Sequence, residues 1–150
     1  MMPVEPSPRP ALSVLVADDD EDMRTLIADT LRRDGHHVGE ARDGVDLLER
    51  LGEALEDPSR RPVVVVTDVL MPNLSGLGVL AALRRSRWQV PVILMTALED
   101  ESVITVAERF GAVTVFKKPV DVDDLRTAVL NAQLAFETGS RIGGPPKTRR

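Results

Sequence analysis

Val63-Val64-Val65-Val66-Thr67-Asp68 decides how this chain folds. An unbroken run of β-branched residues offers water no polar face. It therefore suits a strand covered on both sides, as in the middle of a parallel sheet. Asp68 is the first charge after the run, and the turn sequence Val69-Leu70-Met71-Pro72-Asn73-Leu74-Ser75-Gly76 follows it. A carboxylate at the C-terminal end of such a strand is delivered to the edge where open α/β sheets hold their ligands.

On either side of this run lie further short apolar segments, Leu12–Ala17, His37–Glu40, Val92–Met95 and Val113–Phe116. Helical periodicity fills the gaps between them. Met23, Leu26, Ile27, Thr30 and Leu31 share one helical face that ends at Gly35. Val45, Leu48, Leu51 and Leu55 define a second helix, starting from Asp43-Gly44 and ending before Pro58. Leu77, Leu80 and Leu83 mark a third, and Val103, Val106, Ala107 and Phe110 a fourth, closed by Gly111. Val122, Leu125, Val129, Ala132 and Phe136 mark the fifth, with Asp121 as its N-cap. Strands alternating with helices predict an α/β fold: a doubly wound, five-stranded parallel sheet with five helices on its two faces. Right-handed crossovers and five strands favour the flavodoxin-like order 2-1-3-4-5, whose switch point lies between strands 1 and 3.

The chain has 150 residues, 43% of them hydrophobic, with a net charge of −5 and no cysteine. One domain is the natural reading. Disulfides, thiolate metal sites and cysteine nucleophiles are excluded. The N-terminus lacks the basic and apolar regions of a secretory signal, and no apolar run has the length of a membrane span, so a cytoplasmic protein is expected. The acidic balance argues against nucleic acid as the main partner. Residues 1–11, with Pro3, Pro6, Pro8 and Pro10, read as a disordered leader; residues 12–137 form the domain; residues 138–150 read as a disordered basic tail carrying Arg141, Lys147, Arg149 and Arg150.

Three other strand ends could converge on Asp68. Asp18 and Asp19 close the first strand, and adjacent carboxylates there repel each other unless a cation sits between them. Asp20, Glu21 and Asp22 suit the positive end of the helix that follows. With Asp68, Asp18 and Asp19 form a carboxylate cluster suited to Mg²⁺, which binds few protein oxygens and fills its octahedron with water and phosphate oxygens. The acidic run lacks the alternation and central Gly of an EF-hand. Thr96 ends the fourth strand, and Lys118, before Pro119, ends the fifth. Opposite three carboxylates, a lysine supplies the charge to hold a phosphoryl oxygen.

Taken in order, Val14-Leu15-Val16-Ala17-Asp18-Asp19, Asp68-Val69-Leu70-Met71-Pro72-Asn73-Leu74-Ser75-Gly76, Thr96-Ala97 and Lys118-Pro119 resemble the receiver domain of bacterial response regulators, the chemotaxis-regulator fold. The resemblance implies that Asp68 is the phosphoacceptor and that Asp18, Asp19, Asp68 and the Leu70 backbone carbonyl hold Mg²⁺. It implies that Thr96 hydrogen-bonds the phosphoryl group and that Lys118 pairs with it. The implied donor is a sensor histidine kinase or a histidine phosphotransfer protein, in a two-component phosphorelay. The implied output is protein–protein contact with a downstream target, or a homodimer, through the fourth helix, fifth strand and fifth helix. Thr96 and Val115 belong to the implied switch; Ile104, Thr105 and Glu108 are the exposed contacts this implies on the fourth helix. No multiple-turnover activity is expected.

The sequence departs from the family pattern in two places. The family's aromatic switch position is Val115 here; Phe116 is one residue later and, by strand alternation, faces the other way. Leu70 and Leu98 stand where polar residues could orient a hydrolytic water, which predicts slow decay of the phosphorylated form. The rival reading is a haloacid-dehalogenase-type, Mg-dependent phosphatase with Asp18 as nucleophile and Asp20 as general acid. Gly76-Leu77-Gly78-Val79-Leu80-Ala81 matches a dinucleotide-binding string, but it lies too far from the strand end at Asp68 to form that motif's turn. Asn73-Leu74-Ser75 fits an N-glycosylation acceptor, but no secretory signal makes that relevant, and His36-His37 is read as a surface position.

Overall fold

The computed structural model describes residues 13–57, 59, 62, 64–97 and 100–138, with side chains as far as residue 135. The elements run β1 (Ser13–Ala17), α1 (Glu21–Arg33), β2 (His37–Ala41), α2 (Gly44–Glu56), β3 (Val64–Asp68), α3 (Gly76–Arg85), β4 (Val92–Thr96), α4 (Glu101–Arg109), β5 (Thr114–Lys117) and α5 (Val122–Thr138). The strands form one parallel sheet in the order β2-β1-β3-β4-β5, as expected. The expected leader, residues 1–11, and nearly all of the expected tail lie outside the described residues. Among the described residues, no helix is long and apolar enough to cross a membrane.

Every residue of β3 and β4 is buried, because helices cover both faces of the sheet's centre. Side-chain alternation divides the core in two. Ala17, Val65 and Leu94 meet Leu47, Leu51, Leu80 and Leu83 from α2 and α3 on one face. Val14, Val16, Val64, Val66, Ile93 and Met95 meet Ile27, Leu31, Leu125 and Val129 from α1 and α5 on the other. Val115 packs with the first group and Phe116 with the second, as the alternation predicted. Helix starts are marked by acceptors: Asp20 takes the Met23 N–H, Asp43 the Asp46 N–H and Ser75 the Gly78 N–H. Asp121 accepts the N–H groups of Asp123 and Asp124 at 2.8 and 3.3 Å, as its capping role requires.

Two helices turn a different face inward from the one expected. In α2, Gly44, Leu47, Leu51 and Ala54 are buried, whereas Val45, Leu48 and Leu55 are 42%, 38% and 45% exposed. This helix carries two apolar stripes with nearly the same spacing, so periodicity alone cannot choose between them. The buried stripe includes Gly44, whose Cα lies so close to the Leu74 carbonyl that a Cβ would overlap it. In α1 the buried stripe is Arg24, Ile27, Ala28 and Leu31, and Leu26 is 47% exposed. The expected stripe is rotated by about one residue because a charged side chain occupies an inward position.

Candidate functional site

Parallel register brings the C-terminal ends of β1, β3, β4 and β5 to one edge. Ala17 lies beside Thr67, Asp68 beside Met95, and Thr96 beside Lys117. Beyond the strands the ladder continues for one more bond each: Asp18 N–H to Ala41 O at 3.2 Å, Val69 N–H to Met95 O at 2.7 Å and Lys118 N–H to Thr96 O at 2.8 Å. These bonds fix the backbone under Asp18, Asp68 and Lys118 at the β1/β3 switch point and its neighbours.

The Lys118 ammonium spans the site. Its Nζ donates to Asp68 Oδ2 at 2.7 Å and to Asp18 Oδ2 at 3.1 Å. Asp18 and Thr96 are buried, Asp68 is 5% exposed, and Asp19 faces solvent. The Lys118–Pro119 peptide is cis. Asp68 Oδ1 accepts the Leu70 N–H at 3.3 Å, so both of its oxygens are engaged and the carboxylate has a defined plane. The Leu70 side chain is 51% exposed, and Leu98 lies outside the described residues.

One ammonium does not balance three carboxylates. Burial, reinforced by the nearby Asp18 charge, pushes the Asp68 carboxyl above its ordinary value, against the pull of Lys118. Burial would lower Lys118, but its bonds to Asp68 and Asp18 outweigh that and raise it, so the ammonium keeps its proton. Asp18, Asp19 and Asp68 each offer an oxygen, all within 4.8 Å of one another. A hard divalent cation fits this set: it takes carboxylate oxygens and would offset the surplus negative charge.

The loop after Asp68 is braced from two directions. Gly76 N–H donates to Val69 O at 2.9 Å, and Gly76 sits against the Asp68 carbonyl so closely that a Cβ could not be placed there. Asn73 Nδ2 donates to Asp43 Oδ2 at 3.2 Å, tying the loop to the start of α2. The Gly76/Gly78 pair is thus a packing device: Gly78 abuts the Leu74 side chain, and Ser75 caps α3. On α4, Ile104, Thr105 and Glu108 are exposed. His37 is exposed at the start of β2, whereas His36 beside it is half-buried.

The phosphatase alternative finds no support here. Asp18 is buried, with Oδ2 on Lys118 and Oδ1 accepting the Asp20 N–H at 3.0 Å. Asp20 uses one carboxylate oxygen to cap α1 through the Met23 N–H at 3.2 Å. Arg24 is the residue that sequence reasoning missed. It is 9% exposed, and its Nη1 donates to the Asp18 carbonyl at 2.9 Å while Nε donates to Glu40 Oε1 at 3.1 Å. Its spacing to Ile27, Ala28 and Leu31 was the available signal, since a basic residue on a core-facing stripe needs a buried partner.

Comparison with known proteins agrees with this geometry. A family model described as response regulator receiver domain matches residues 14–130. The chain is 37% identical over 108 residues to the transcriptional regulatory protein AfsQ1 of Streptomyces coelicolor, an alignment covering 72% of this chain and 45% of that protein. It is 28% identical over 116 residues to sporulation initiation phosphotransferase F of Bacillus subtilis, covering 77% of this chain and 89% of that one. A response regulator receiver domain protein from Clostridium thermocellum superposes with a TM-score of 0.74 at 29% identity, covering 85% of this chain and 98% of that one. The chain therefore spans under half the length of AfsQ1 but most of the length of the phosphotransferase.

Proposed function

The chain belongs to the response regulator receiver domain family, in which an aspartate is phosphorylated, and on that footing we propose that Asp68 is the phosphoacceptor here. The observation that carries the proposal is the Lys118 ammonium, held at once by Asp68 at 2.7 Å and Asp18 at 3.1 Å. A phosphoryl group joined to Asp68 would sit with its oxygens facing that charge. The Asp68 carboxylate attacks the phosphorus of a phosphohistidine; the P–O bond forms as the P–N bond breaks, and the donor imidazole keeps the electron pair. Lys118 compensates charge on the transferring oxygens, and the Thr96 hydroxyl donates to one of them. Asp18, Asp19, Asp68 and the Leu70 carbonyl would hold Mg²⁺, which when bound supplies further neutralisation of those oxygens.

The donor in this proposal is a sensor histidine kinase or a histidine phosphotransfer protein in the cytoplasm. The domain takes up one phosphoryl group and turns over no substrate. The product, a mixed anhydride, is a local charge that can draw Thr96 inward and bias the loop between β4 and α4. Output then passes to a downstream protein, or to a second copy, through the α4–β5–α5 face carrying Ile104, Thr105 and Glu108. Val115 fills the family's aromatic switch position, so the two-state element here works without an aromatic side chain. Intact-mass spectrometry after incubation with acetyl phosphate and Mg²⁺ tests the proposal. One added phosphoryl mass on the wild type and none on Asp68→Asn is expected; equal labelling of both would refute Asp68 as the acceptor.

A further inference from the structure

Two neighbouring residues of one strand point to opposite faces, so Asp18 and Asp19 can share an ion only if the chain bends between them. It does: β1 ends at Ala17, and the chain turns at Asp19 before entering α1. The last β1–β2 backbone bond is Asp18 N–H to Ala41 O, so the next carbonyl, that of Asp18, has no strand neighbour to accept from. Arg24 reaches it from α1, with Nη1 at 2.9 Å. The guanidinium is aimed by Glu40, whose Oε1 accepts from Arg24 Nε at 3.1 Å while Arg32 holds its Oε2 at 3.0 Å. A planar guanidinium with one edge fixed in this way presents its other donors in a set direction.

We propose that Arg24 is a positioning residue for the cation site: by gripping the Asp18 carbonyl it sets the plane of the Asp18–Asp19 peptide, and with it the direction in which the Asp19 carboxylate leaves the backbone. The inference rests on the reading of Asp18, Asp19 and Asp68 as cation ligands. The Asp20 N–H bond to Asp18 Oδ1, at 3.0 Å, holds the same bend from the side-chain end. Together the two bonds hold both ends of the bend that carries Asp19. Groups that orient metal ligands in this manner typically matter by roughly 10-fold to 100-fold in affinity.

The sign of the effect separates positioning from charge. Arg24 is a cation beside a cation site, so removing it should tighten Mg²⁺ binding if only Coulomb interactions mattered. A tether with no bearing on the site would change stability and leave affinity alone. The test is a titration of ¹⁵N-labelled protein with MgCl₂ alone, following the Asp19 and Leu70 amides, with urea midpoints measured in parallel. Arg24→Met should weaken Mg²⁺ binding by roughly 10-fold or more. Arg24→Lys, which keeps the charge but not the two-edged grip, should weaken it less. Glu40→Gln should lower the urea midpoint with little change in affinity, because the Arg24 bond to the carbonyl survives. Tighter or unchanged binding in Arg24→Met overturns the inference; if that variant does not fold, unchanged binding in Arg24→Lys does so. Asp19→Asn distinguishes the underlying reading: if it binds Mg²⁺ as the wild type does, the ligand assignment itself has failed.

Discussion

Gly76→Ala and Gly52→Ala make the same chemical change in two helices and should move stability in opposite directions. At Gly76 an added methyl group would lie 3.1 Å from the Asp68 carbonyl carbon and 3.2 Å from Thr67 Cγ2, and inside the surface of the Asp68 carbonyl oxygen. That oxygen is backbone at the end of a buried strand, so it cannot rotate aside as a side chain would. Overpacking of this kind costs about 1–3 kcal/mol. The gain from replacing glycine in a helix is at most about 1 kcal/mol, and less in the first turn. The net expectation is a loss of about 1–2 kcal/mol. Gly52 lies within α2 and a Cβ there meets nothing within 4 Å, so Gly52→Ala should gain about 0.5–1 kcal/mol. In urea, with a slope of about 1–3 kcal/mol per molar, Gly76→Ala should lower the midpoint by roughly 0.5–1 M and Gly52→Ala should raise it by a few tenths. Gly76→Ala should also weaken Mg²⁺ binding, since the strain falls on the residue that carries the Asp68 carboxylate. A Gly76→Ala midpoint equal to or above the wild type would refute the claim that α3 is pressed against Asp68.

Two further outcomes follow from the site. Burial, then the neighbouring Asp18, raises the Asp68 carboxyl in the folded state, so the folded protein binds that proton more tightly than the unfolded chain does. Its contribution to stability is fully present below the ordinary value of 3.8 and is lost as pH rises through the raised folded value. Without Mg²⁺, the wild type should therefore lose stability relative to Asp68→Asn as pH climbs through that window; a urea-midpoint difference that does not change with pH would contradict it. Once phosphorylated, the protein should decay slowly because Leu70 and Leu98 offer no polar group to orient a water. Leu70→Asn combined with Leu98→Glu should shorten the lifetime of the labelled form severalfold by intact mass, and an unchanged lifetime would remove that explanation.

Much of this protein is legible in its one-dimensional pattern, and the reasons are local. Val64–Thr67 and Val92–Met95 are wholly apolar or β-branched because both faces of a central parallel strand are covered, so they can be recognised without knowing what covers them. Asp18, Asp68, Thr96 and Lys118 stand where those runs stop, and the end of a strand is where a doubly wound sheet exposes its chemistry. Phe116 could be assigned to the far side of the sheet from Val115 because strand alternation is a property of the backbone alone.

What periodicity could not decide was orientation between elements. Val45, Leu48 and Leu55 repeat as regularly as Leu47, Leu51 and Ala54, and it is the second stripe that packs inward, with Gly44 pressed against the Leu74 carbonyl. The spacing of Arg24 could mark it as inward, but not that the end of the β1–β2 ladder leaves the Asp18 carbonyl for it to hold. Lys118 meets carboxylates 50 and 100 residues earlier in the chain, at 2.7 and 3.1 Å. Alternation and hydrophobic spacing act over a few residues, whereas a hydrogen bond needs its atoms placed to a few tenths of an ångström. That placement comes only when packed layers fix the distance between parts of the chain that never adjoin along it.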